Sequence, residues 1–192
     1  MSVVMDARSL LEGIDDVPVD GGNVGGGLPK GTYPGTVDRI VTKEFSKNNV
    51  PRVAFMIKIS EGELKGRTAF LDIYLGASRF DTKYENGKKV GDTERSEQDY
   101  NEKRLAALGR VKGLLTALDL PHKNVPSVGP DDSEYIFEYF GIDNMVGRGA
   151  MWTLSIDGEG RNKLQGVRSF SHAKEGLDAW RDKQARKGGV TL

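Results

Sequence analysis

Between residues 51 and 76 the chain alternates side-chain character with a period of two, and does so twice. Val53, Phe55, Ile57 and Ile59 alternate with Ala54, Met56 and Lys58. After the polar stretch Ser60-Glu61-Gly62-Glu63-Leu64-Lys65-Gly66, Ala69, Leu71, Ile73 and Leu75 alternate with Phe70, Asp72 and Tyr74. Neighbouring side chains of a strand point to opposite faces, so this pattern predicts two strands joined by a turn, with one aliphatic face that requires a core. The other face carries Met56, Phe70 and Tyr74 beside Arg52, Lys58 and Arg67. Rings on a sheet face offer a surface for bases and interleaved cations follow phosphates, which is the chemistry of a single-stranded nucleic-acid platform. The same composition also suits a sheet face packed under a helix with its charges solvated.

The rest of the chain supplies partners for these strands. A first strand is predicted over residues 32–45, with Tyr33, Val37 and Val41 on one face and an edge position or bulge at Pro34-Gly35. Ser46-Lys47-Asn48-Asn49 is turn chemistry. In residues 76–98, Asn86-Gly87 predicts a β-ribbon bearing Phe80, Lys83, Tyr84, Lys88 and Lys89, which either curls over a bound strand or is simply an exposed, lysine-rich loop. Ser96-Glu97-Gln98-Asp99 resembles a capping box, and Leu105, Leu108, Val111, Leu115 and Leu118 keep helical spacing up to Leu120-Pro121. Residues 122–144 read as irregular, with a helical turn near 133–139. A fourth strand is expected over 145–157, its Trp152 on the aliphatic face and therefore in the core. A fifth follows over 163–170, then a helix over 173–187 with a thin stripe of Leu177 and Trp180.

Three meander strands, a helix and a closing hairpin give a mainly β chain with one or two helices. The order β-β-β-α-β-β is that of the five-stranded OB-fold barrel, whose strand 2–3 face and flanking loops bind oligonucleotides. The expected organisation is an acidic, glycine-rich flexible arm over 1–27, the barrel over 28–171 with the ribbon inserted at 76–98, and a C-terminal helix and tail over 172–192.

The 192 residues have a formal net charge of zero, but the charge is unevenly spread. Residues 1–27 carry one basic and five acidic side chains, and 121–150 carry two and five; residues 28–120 carry 17 and 13, and 151–192 carry eight and five. The strand-bearing segments are thus basic, and the acidity is concentrated in the arm and one connection. With no cysteine, disulfides and thiolate metal sites are excluded; with no long apolar run and no signal-peptide pattern, a cytoplasmic protein is expected.

No catalytic constellation emerges. Lys30 lacks the preceding glycine of a phosphate-binding Walker loop. His122 and His172 have no partner at metal or nucleophile spacing, and Asp131-Asp132 reads as a cap or loop element. Asp72 across the sheet from Lys58 is the nearest approach to a nuclease centre and lacks a second carboxylate. No enzyme activity, cofactor or metal is therefore expected. The alternatives are a metal-dependent nuclease or other replication enzyme with an unseen site, and a protein-interaction module on a similar barrel.

Leu28-Pro29-x-Gly31-x-Tyr33, Val53-x-Phe55-x-Ile57, Glu61-Gly62-x-x-Lys65-Gly66-Arg67, the helix over 105–118 and the closing segment over 147–171 together resemble a phage-encoded family of small single-stranded-DNA-binding proteins. The resemblance covers residues 28–171. It implies an OB-fold that coats and protects single-stranded DNA, without sequence preference, during phage replication or recombination in the host cytoplasm. Replication or recombination proteins and further copies of the chain are then the expected partners. Bacterial and T7-type counterparts recruit partners through an acidic C-terminal tail. Here the C-terminal segment is basic, which leaves the acidic N-terminal arm for that role.

Overall fold

A computed structural model describes residues 27–46, 50–86, 88–121 and 136–188. The arm over 1–26, His122 and Asp131-Asp132 lie outside the described residues. The strands are β1 (Gly31–Phe45), β2 (Pro51–Ile59), β3 (Thr68–Tyr74), β4 (Phe80–Glu85), β5 (Lys88–Glu94), β6 (Gly149–Ile156) and β7 (Asn162–Arg168). The helices are α1 (Glu97–Ala117), the single turn α2 (Ile136–Tyr139) and α3 (Leu177–Gly188), with a 3-10 turn at Ile142–Met145. The protein is mainly β: one five-stranded antiparallel sheet in the order β3-β2-β1-β6-β7, and a separate β4-β5 ribbon. The two ends of the large sheet, β3 and β7, come together beside α1. Among the described residues no helix is long and apolar enough to cross a membrane.

β1 joins the two halves of the large sheet. Its first half, Gly31 to Thr36, pairs with β6, and the stretch from Gly35 onward pairs with β2. Register shifts between Val37 and Arg39 and between Ile40 and Thr42 bend the strand. They also change which side chains point inward: Val37 is buried and Ile40 packs on the core, whereas Val41 is 42% exposed, contrary to the simple alternation. The irregularities fall after Pro34-Gly35 rather than on them. β1 is central and not an edge; Pro34 is tolerated because the β2 ladder begins only at Gly35, opposite Ile59.

The aliphatic faces of β2 and β3 form the core as expected, with Val53, Phe55, Ile57, Ile59, Ala69, Leu71, Ile73 and Leu75 all buried. α1 starts at Ser96, whose hydroxyl accepts from the Asp99 amide at 3.2 Å. It lays Leu108, Val111, Leu114, Leu115 and Leu118 on the same core. Leu105, a turn earlier, has rotated off that stripe and is half exposed. β6 begins at Gly149 rather than 145, because Met145 closes the 3-10 turn with its side chain fully buried. α3 starts at Leu177 rather than 173, after a turn in which the Gly176 amide donates to the His172 carbonyl at 2.7 Å.

Trp152 is fully buried, its ring centroid 5.8 Å from that of Phe55, and its Nε1 donates to the Gly35 carbonyl at 2.9 Å. Trp152→Ala removes a large core side chain together with its hydrogen bond to the Gly35 carbonyl, so a loss of about 3–5 kcal/mol is expected from urea unfolding at unchanged m-value. A loss below about 1 kcal/mol would contradict the core assignment.

Candidate nucleic-acid interface

Directly opposed residues of antiparallel strands share a face, so the register defines the outer surface of the sheet. Lys58 lies opposite Thr68, Met56 opposite Phe70, Ala54 opposite Asp72 and Arg52 opposite Tyr74. Phe70 and Tyr74 are 59% and 44% exposed, which is unusual for rings on a sheet and leaves them free to stack. Met56, expected beside them as an open contact, is instead 6% exposed: its cross-strand neighbours are Arg39 and Phe70, and it lies in the body of the sheet between them. Arg52 is bound to Glu44 at 2.7 Å and faces Asp72 at 3.8 Å. Asp72 and Lys58 stand four residues apart along the strands, about 13 Å at the usual rise, so the register does not assemble the carboxylate–lysine pair of a nuclease.

Phe70 and Tyr74 also line an open groove of about 1410 Å³ where β3 and β7 meet over α1. Its cations are Arg52, Arg67, Arg110, Arg161, Lys163 and Arg168, against the carboxylates of Asp72 and Asp157. Arg161 is tied to Asp157 and Glu159 at 2.9 Å each, and Arg168 to Glu175 at 3.2 Å. Arg67, Arg110 and Lys163 form no ion pair among the described residues. The turn from β6 to β7 is built by Asp157, whose carboxylate accepts from the amides of Glu159 and Arg161 and from Arg161 Nε, all at 2.9 Å. Those bonds, the Arg161 amide first, hold the Asp157 carboxyl below its ordinary range and set Arg161 at the groove rim.

Of the residues singled out from sequence, the groove gathers Arg52, Arg67, Phe70 and Tyr74. Lys58 is exposed on the same sheet face but outside the groove. Phe80, Lys83, Lys88 and Lys89 belong to the separate ribbon; all are exposed, and Lys89 is held by Asp92 at 2.6 Å. The ribbon carries Asp81, Glu85, Asp92 and Glu94 against its three lysines, so it contributes no net positive charge. Asn86 has the positive φ (50°) that its turn requires, and the side chain of Tyr84 lies outside the description. Arg110, Arg161, Lys163 and Arg168 were not anticipated. For Lys163 and Arg168 the signal was the alternation of Lys163 and Gln165 with Leu164, in the strand that stands at the far end of the sheet from β3.

At the other end of β1, α3 is fastened by two contacts. Trp180 Nε1 donates to the Thr32 carbonyl at 2.9 Å, and the ring lies so close to Gly62 that a Cβ there would stand 2.9 Å from it. Arg181 reaches both carboxylate oxygens of Glu61 through Nε and Nη2. A scan against protein-family models finds none that matches the chain, and a search of curated proteins likewise finds no match.

The Arg181 hydrogen bonds hold the Glu61 carboxyl below its ordinary value, which is about 4.3. A depressed folded value means that the clamp is complete above the ordinary one and is lost as pH falls through the folded one, so α3 stays fastened through the usual carboxylate range. Glu61→Gln removes the charge and one of the two acceptors of the clamp at every pH. Tryptic cleavage within α3 at neutral pH is then expected to accelerate about two- to five-fold, the size of an exposed pair, with the melting temperature nearly unchanged. Equal cleavage rates would show that Trp180 alone fastens the helix.

Proposed function

We propose that the protein is a non-enzymatic, sequence-tolerant binder of single-stranded DNA built on an OB-type barrel. The observation that carries this reading is the pair of exposed rings, Phe70 and Tyr74, on the wall of a groove lined by six cations and two carboxylates. The strand order β3-β2-β1-β6-β7, with α1 between β3 and β6 in sequence and the sheet ends approaching each other, supports the barrel assignment. So does the family resemblance of residues 28–171, from which a role in coating DNA during phage replication or recombination follows.

In this reading Phe70 and Tyr74 stack bases, while Arg67, Arg110 and Lys163 neutralise phosphates without first surrendering a protein partner. The unpaired edges of β3 and β7 offer backbone amides to phosphate oxygens. The groove exceeds the ~300–1,000 Å³ of a small-molecule cleft and is open, which suits a polymer passing through it. Lys58 extends the charged face beyond the groove, and the ribbon plays a minor part because its charges cancel.

Fluorescence anisotropy with labelled oligo-dT tests the proposal. Single strands are expected to bind tightly, duplex weakly, and log K to fall with log salt. Phe70→Ala and Tyr74→Ala should each weaken binding by about 1–3 kcal/mol with the salt slope kept. Arg67→Ala or Lys163→Ala should instead reduce the slope by about 0.7. No binding at low salt, or indifference to both ring substitutions, would overturn the assignment.

Asp72 sits between the two rings on the same face, where its charge opposes a phosphate backbone. Asp72→Asn is expected to strengthen oligo-dT binding about three-fold at low ionic strength, the effect of one unit charge some ~6 Å from a phosphate in water-like surroundings. Weaker binding would mean that Asp72 matters chiefly by positioning Arg52.

A further inference from the structure

A helix laid on a sheet ordinarily turns an apolar stripe toward it. On α3 the positions that share a face with Trp180 are Lys183, Gln184 and Lys187. Past Trp180 the helix therefore stands over the sheet on cations, leaving a cleft of about 620 Å³ whose floor includes Thr32 and Thr153, their hydroxyls 3.0 Å apart. Lys183, Arg186, Lys187 and Arg168 line it. The single carboxylate there, Glu175, is already bound to Arg168 at 3.2 Å.

Four cations around one carboxylate in a concavity repel one another and focus a positive potential that is relieved by an anion. Basic residues in the last turn of a helix are favoured by the helix dipole, which accounts for Arg186 and Lys187 being where they are. It does not account for Lys183 or for Arg168, which comes from β7 and faces the same cleft. Arg168 also lines the groove between β3 and β7, so the two cavities adjoin at that side chain.

We infer that the cleft under α3 is a second phosphate-binding segment, in which the phosphodiester backbone of a strand leaving the groove at Arg168 runs on along Lys183 and Lys187. This rests on the single-stranded DNA reading and extends it by assigning α3 to the binding path.

The test uses the full chain and the double variant Lys183→Ala/Lys187→Ala, which spares Trp180 and Arg181. Labelled oligo-dT strands of about 6 and about 20 nucleotides, chosen to fall near the bottom and beyond the top of the ~4–16 spanned by one such barrel, are titrated over a range of sodium chloride. For the long strand the salt slope is expected to fall by about 1.4, two contacts at ~0.7 each, while the short strand binds as to the wild type. Lys183→Arg/Lys187→Arg should restore the long-strand slope. An unchanged long-strand slope in the alanine variant would overturn the inference and leave the groove reading intact. Equal losses for both lengths would reduce it to a general charge effect and overturn it as well. Displacement of the long strand by millimolar inorganic phosphate at constant ionic strength would assign the cleft to a free anion instead. Failure of the wild type to bind either strand would remove the groove reading first, and this inference with it.

Discussion

Everything in the large sheet depends on β1 serving two partners at once. Gly35 pairs with Ile59 on one side and with Ala150 on the other, so it is the point at which the β2-β3 half and the β6-β7 half are joined. The space there is fully used: a Cβ on Gly35 would lie 3.1 Å from the Lys58 carbonyl oxygen and 3.2 Å from the Trp152 ring. The Trp152 Nε1 bond to the Gly35 carbonyl fastens the core to this junction. Just beyond it the two bulges bend the strand. The bending of β1 and the meeting of β3 with β7 are two views of one geometry, and the groove is its product.

The electrostatics of the interface are local. A chain of zero net charge has no long-range pull on a polyanion, and beyond about 8–10 Å physiological salt screens most of what remains. In the proposed reading, attraction comes from the short-range excess in the groove and under α3. Half of the groove cations are already paired with carboxylates, which lowers their contribution and holds their guanidinium groups in place. In that reading the exposed rings would supply an attraction that salt does not weaken.

The sequence made the strands and the long helix legible because each has a strong local signature: period-two alternation in β2 and β3, a serine cap before α1, and a turn-forming Asn86. It was less informative where the backbone departs from regularity. Nothing local marks the bulges of β1, so alternation counted from Tyr33 put Val41 inward where Ile40 belongs. Met56 shows the limit of face assignment: a residue on the outer face of a strand need not be open to solvent when its neighbours across the sheet are as large as Arg39 and Phe70. The β7 cations were missed for a different reason. They join Phe70 and Tyr74 only when the two ends of the sheet meet, and that contact spans about half the chain. For the same reason α3 read as a weakly amphipathic tail, since the partners of Trp180 and Arg181 are more than a hundred residues away.

The meeting of β3 and β7 without hydrogen bonding leaves two raw strand borders facing one another. Such borders invite the addition of a foreign strand, and proteins commonly guard them with charge. Arg67 beside β3, and Lys163 and Arg168 on β7, are placed to act as guards as well as, in the proposed reading, phosphate ligands. The two duties are coupled. A bound polyanion would neutralise the guards while itself filling the gap, so the borders are protected by their charges when the groove is empty and by the ligand when it is full. A chain stripped of these cations would meet its own copies with unguarded borders, and clumping would accompany the loss of binding.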